Sequence, residues 1–236
     1  MDKLNPVDLE EIIEKFEKAF IPKERLEILK SLQDVNLLNI QQISTVLKKD
    51  PILTSEVLKL ANSSFFGFPR KIETIEHAII LLGTNVIKSL TFSMTYSETQ
   101  TKLPKSKQEL FIKVVQEHSL KISEIVNPKI ENLSRNESSS IKTGIILHDI
   151  GKTVIIFLIP KDQLNEWKDL TGKEWFERER KSFGFTHIDV NKVLAEKWNF
   201  PPLLIRIMTE HHNPESKDRE VSIIYKAHEE AGIFKL

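Results

Sequence analysis

An all-α fold is what this sequence predicts, and three observations predict it. Only 7 of the 236 residues are glycine. Average usage of about 7% would give more than twice as many, and sheet-rich chains spend glycine on hairpin turns with positive φ. Apolar residues recur at i, i+3, i+4 and i+7, the spacing of one helical face. The best strand candidate, the β-branched and aromatic run 154–159, has no partner strand evident nearby and is read as helix.

The elements follow from local signals. Asn5-Pro6 reads as an N-cap and first helical position, after which Leu9, Ile12, Ile13, Phe16 and Phe20 form one apolar face. Leu26, Leu29 and Leu32 mark the next helix, and Ile40, Ile43, Val46 and Leu47 another. Asp50-Pro51 opens the segment that carries Val57, Leu58 and Ala61. Further helices are expected at 74–82, 85–98, 107–126, 139–158, 174–183, 188–198, 202–211 and 220–231. The apolar positions within 9–20, 57–61, 79–82 and 145–147 are expected to be buried. The polar stretch 127–140, with Pro128 and a serine cluster, reads as a loop. It is taken as the seam of a single two-lobed domain, with a helical lobe over 1–127 and a second over 139–236. At Trp198 a helix stops, and Pro201 and Pro202 start the next.

Composition excludes several function classes. The 34 Lys and Arg balance 34 Asp and Glu, which argues against a general nucleic-acid binder. With no cysteine there are no disulfides, thiolate metal sites or cysteine nucleophiles. The charged N-terminal stretch lacks the apolar core of a signal peptide. The apolar runs 78–82 and 154–159 fall far short of the ~20 residues of a membrane helix. The expected compartment is the cytoplasm, with neither nucleic acid nor membrane as partner.

The polar feature that stands out is His148-Asp149-Ile150-Gly151-Lys152, set in an apolar helical pattern. Burying an imidazole and a carboxylate there is costly unless they are paired with each other or bound to a cation. The pair is therefore either a hydrogen bond closing a core or part of a site for Zn, Fe, Mn or Ni. His118, His187, His211, His212 and His228 are the further imidazoles, whereas His77 is read as a surface or packing residue. No phosphate-cradling loop, nucleophile elbow or His-Glu-x-x-His pair competes. The lysines and arginines at 70, 71, 102, 105 and 107 are scattered, as on a solvated face.

The order of these pieces resembles the HDOD family, the HD-related output domains of bacterial signalling proteins. Two blocks carry the likeness. The first is Asp50-Pro51-Ile52-Leu53, the run Val57 to Phe66, Ile72 to Ile75, and Ala78 to Gly83. The second is His148 to Lys152, Phe183-Gly184, His187, Leu194-Ala195, Trp198, Pro201 and His211-His212. The likeness runs from about Leu26 to about Gly232, and implies an all-helical, two-lobed fold whose C-terminal lobe is related to HD phosphohydrolases.

In those hydrolases a histidine, the His-Asp pair and a distant aspartate bind metal, and cyclic-dinucleotide phosphodiesterases add three histidines. On the resemblance His118 matches the first, His148 and Asp149 the pair, and His187, His211 and His212 the added three. Asp149 and Lys152 are the candidates for a catalytic role. Two departures stand out: the distant aspartate is replaced by His228, which can still ligate, and Asn213-Pro214-Glu215-Ser216 stands where the phosphodiesterases carry a Gly-Tyr-Pro segment. The resemblance thus implies a signal-transduction output or scaffolding module that is non-enzymatic, binds a protein partner or small ligand, and retains a divalent transition metal. The alternative is a metal-dependent phosphohydrolase or phosphodiesterase acting on nucleotides or cyclic dinucleotides.

Overall fold

A computed structural model describes residues 6–33, 37–170 and 172–231, so the expected Asn5 cap lies outside the described residues. Among the described residues there are fourteen α-helices and no strand. The first six are α1 (Pro6–Phe20), α2 (Lys23–Ser31), α3 (Ile40–Leu47), α4 (Pro51–Ala61), α5 (Ile75–Leu82) and α6 (Thr84–Glu98). Next come α7 (Lys105–Phe111), α8 (His118–Val126), α9 (Arg135–Leu147) and α10 (Lys152–Leu158). The last are α11 (Gly172–Phe183), α12 (His187–Lys197), α13 (Pro202–Glu210) and α14 (Arg219–Glu230).

Helices α2 to α6 close round one apolar cluster, in which Leu47, Leu53, Val57, Ala61, Ile79 and Ile87 are buried. Asp50 caps α4 by accepting the Leu53 N–H at 2.9 Å, with Pro51 in the first turn as its fixed φ favours. At the other end of α4, Asn62 bonds the carbonyl of Leu58 and both backbone groups of Ile72. Gly67 turns the chain between them at φ 67°. Of the positions expected to be buried in α5, Ile79 and Leu82 are, while Ile80 is 67% exposed because it lies on the opposite side of the helix.

A second cluster joins α1 to α6, α7 and α10 to α13. Leu9, Ile13 and Phe16 form the buried face of α1, and Phe16 meets Phe157 of α10 edge to face at 5.6 Å. Buried Glu17 anchors the same helix, accepting from Tyr96 of α6, from Lys197 at 2.7 Å and from the Trp198 indole at 3.3 Å. The 154–159 run is helical through Leu158, as α10, with Val154, Ile155 and Ile156 fully buried.

A third cluster packs α8, α9, α13 and α14. Helices α7 and α8 are joined through a π-helical stretch, Ile112–Glu117. Its wider turn rotates the face that follows. Phe111 and Val115 thus enter the second cluster, and Ile122 and Val126 the third. His118 is the first residue after this stretch.

Two expected boundaries differ. The expected loop over 127–140 is shorter, because Ser134 and Glu137 form a reciprocal capping box that starts α9 at Arg135 and places the serines at 138–140 inside it. The single helix expected over 139–158 is two helices, α9 and α10, broken at residues 148–151. Asn191 of α12 takes up the backbone groups freed there. Its side chain accepts the Gly151 N–H at 2.8 Å and donates to the carbonyls of His148 and, at 2.9 Å, Met208. Gly151 is required by close approach: a Cβ there would lie 2.5 Å from the His187 carbonyl oxygen and 2.7 Å from Asn191 Oδ1.

This crossing makes a prediction. Gly151→Ala should destabilise the protein by about 1–3 kcal/mol or more, since the obstructing atoms are backbone and a clamped amide. Gly144→Ala should lose less, because its clashes, at 2.7 and 2.9 Å, are with side-chain methyl carbons of Ile207 rather than with backbone. Thermal unfolding of the two variants checks the ranking.

Candidate metal centre

The break between α9 and α10 delivers the centre. His148 and Asp149 sit in the turn itself and are both fully buried. Adjacent residues on a continuous helix diverge by about 100°. Here the chain turns instead, and both side chains reach the same interior space. His118 arrives from the start of α8, His187 from the start of α12, His211 and His212 from the end of α13, and His228 from α14.

The ligand atoms fall into two groups. Asp149, His187, His211 and His212 present one atom each within 4.8 Å of one another, and His118, His148 and His228 do the same. Asp149 lies between them. Its Oδ2 is 3.2 Å from His118 Nε2 and 3.4 Å from His148 Nε2. Its Oδ1 is 3.3 Å from His187 Nε2 and 3.6 Å from His211 Nε2. His187 and His212 meet Nε2 to Nε2 at 3.0 Å. Lys152, itself 6% exposed, places its Nζ 2.7 Å from Asp149 Oδ2.

A second layer of contacts aims these rings. His148 Nδ1 is 2.7 Å from the Ile145 carbonyl and His211 Nδ1 is 3.0 Å from that of Ile207. Both Nε2 atoms therefore point inward with a lone pair. His187 Nδ1 is 2.7 Å from Glu179 Oε2, which also accepts the His187 backbone N–H at 3.0 Å. This is the carboxylate–histidine arrangement that fixes the tautomer of a metal-ligating imidazole. Phe176, one turn from Arg180 and three residues before Glu179, packs its ring on His187 and His212 at 6.0 and 5.9 Å.

The electrostatics suit a cation. Burial pushes the pKa of His118, His212 and His228 well below the usual imidazole value, and that of His211 down to about 4. Burial alone would raise the Asp149 carboxyl, but the Lys152 ammonium beside it holds it well below the usual carboxylate range. His118 Nε2, His148 Nε2, Asp149 Oδ1 and His211 Nε2 are buried with no hydrogen bond among the described residues. Buried polar atoms of this kind ordinarily have a partner. Imidazole nitrogens with one carboxylate oxygen are donors that Zn, Fe and Ni accept, so the residues present fit a divalent transition metal.

All six candidate ligands read from the sequence, His118, His148, Asp149, His187, His211 and His212, meet in this space, and His228 joins them. His77 is exposed on α5. Glu179 and Asn191 were missed by the sequence reading, although each sits four residues from a buried partner on its own helix, Trp175 and His187 respectively.

Residues 19–214 match the HDOD domain. The chain belongs to the HDOD family. An uncharacterized Bacillus subtilis protein, YuxH, is 35% identical over 72 residues, 30% of this chain and 18% of that protein. The chain spans less than two fifths of the length of the curated relatives it matches. A Shewanella amazonensis structure named a "putative metal-dependent phosphohydrolase" superposes with TM-score 0.61 at 15% identity, covering 97% of this HDOD chain and 83% of that one. A Marinobacter aquaeolei VT8 structure named a "putative signal transduction protein" gives TM-score 0.51 at 15% identity, covering 98% and 57%. These likenesses show a shared fold. Among the described residues no single helix is long and apolar enough to cross a membrane.

The depressed imidazole values fix a pH dependence. These four histidines bind fewer protons folded than unfolded, so their contribution to stability is complete above the unfolded value near 6.5. It is lost as pH falls from there towards the folded values. His211 alone accounts for about 3 kcal/mol at the acid end. Chelator-treated protein should therefore show a melting temperature that declines steadily below about pH 6.5. A flat profile from pH 7 to pH 5 would contradict these assignments.

Proposed function

We propose that this HDOD domain is a signalling output module that holds a divalent transition metal and acts by binding a partner protein or small ligand rather than by hydrolysis. The observation that carries the proposal is the enclosure and charge of the centre. His148, Asp149, His187, His211 and His228 are each at most 1% exposed. The single carboxylate among the ligands is already paired with Lys152. A phosphoester would have to displace packed imidazoles to reach the centre, and it would find His228 where the resemblance to HD hydrolases calls for a second carboxylate. Membership of the HDOD family supports the signalling role, and the cytoplasm is its expected setting.

A second reading, a metal-dependent phosphohydrolase acting on nucleotides or cyclic dinucleotides, is favoured by Asp149, which touches both ligand groups. Bound metal would supply Lewis acidity and an activated water at neutral pH. Lys152 would be placed to steady a phosphate oxygen.

The deciding experiment loads the protein with Mn, Fe, Zn or Ni and assays cyclic dinucleotides and nucleoside phosphates. The expected result is a metal-dependent rise in melting temperature that Asp149→Ala abolishes, with no turnover above the metal-only background. Metal-dependent turnover that disappears in Asp149→Ala would establish the hydrolase instead.

A further inference from the structure

The two ligand groups are not equivalent, and Lys152 is what separates them. Its ammonium sits 2.7 Å from Asp149 Oδ2, the oxygen that faces His118 and His148. Oδ1, facing His187 and His211, is buried with no hydrogen bond. Lys152 has little room to withdraw: it is 6% exposed, with Nζ 5.9 Å from the centre of the Trp175 ring.

A metal ligated by Oδ2 would stand about 2.0–2.2 Å from it. The metal and the ammonium would then be less than about 5 Å apart, two cations in a buried space where their repulsion is poorly screened. The charge balance points the same way. Asp149 and Glu179 against Lys152 leave one negative charge in and around the centre. One divalent ion turns that into one positive charge, and a second would leave three, with neutral His228 adding nothing to offset them.

We infer that the centre takes one divalent ion, held by Asp149 Oδ1, His187, His211 and His212, and that the Lys152 ammonium stands in for a second ion beside His118, His148 and His228. Lys152 is on this account a resident cation, and the His118 group an imidazole wall around it. The inference rests on the proposal that the centre binds metal, and goes beyond it by assigning the number of ions and the half-site that holds them.

The test is equilibrium dialysis of chelator-treated protein against Zn²⁺, with elemental analysis of the bound ion. Wild type should retain one Zn²⁺ per chain. His212→Ala, the least buried ligand of its group, should lose that ion, and His118→Ala should keep it. Lys152→Met should raise the count to two. Two ions in wild type, or loss of the ion in His118→Ala with retention in His212→Ala, would overturn the assignment while leaving a metal centre in place. One ion in both wild type and Lys152→Met would overturn the role given to Lys152. No ion in wild type would sink the metal centre itself, and the assignment with it. The two histidine variants keep the half-site testable if Lys152→Met fails to fold.

Discussion

A fully buried carboxylate is the constraint on which the rest of this structure depends. Asp149 has no access to solvent, and an isolated charge in such a place is unfavourable by far more than a domain's whole stability margin. The surroundings answer to that one group. Lys152 pairs with it from the first turn of α10, a position where the helix dipole disfavours a cation. Imidazoles from α8, α12 and α13 converge on its two oxygens. The break between α9 and α10 exists where Asp149 needs it, and the Asn191 amide satisfies the backbone groups which that break exposes.

Packing then fixes the positions of those helices. The second and third apolar clusters place α12 and α13 against α10 on one side, while α8 and α14 close the other. The π-helical stretch before His118 lets one helix serve both clusters, turning Phe111 towards the second and Ile122 towards the third. Glu17, bonded to Tyr96, Lys197 and Trp198, ties α1 and α6 to the end of α12. Geometry at the centre therefore depends on contacts well away from it.

Much of this was legible in the sequence, and the reasons are physical. Helical periodicity is a local property, so most of the α-helices could be read from apolar spacing and caps such as Asp50-Pro51. The His-Asp pair stood out because charge inside an apolar run requires compensation. Of the two boundaries that failed, the start of α9 had a local signal in the Ser134-to-Glu137 capping pattern, whereas the break at 148–151 depended on contacts between distant segments. Nothing near Gly151 announces that α12 will cross it within van der Waals distance, and the broken helix followed from that crossing. Glu179 lies in the charged run Glu177 to Lys181, which reads as a solvated face; its i, i+4 relation to buried Trp175 was the available signal. The convergence of the histidines was expected on resemblance alone, because spacing along one chain does not bring α8, α12, α13 and α14 together.

The most direct measurement is an anomalous-difference map from crystals of tag-free protein grown with Zn²⁺. The account predicts one strong peak about 2.0–2.2 Å from Asp149 Oδ1 and from ring nitrogens of His187, His211 and His212, with the Lys152 ammonium still on Oδ2. The absence of a peak in this space, with the imidazoles bonded to one another or to water, would contradict it.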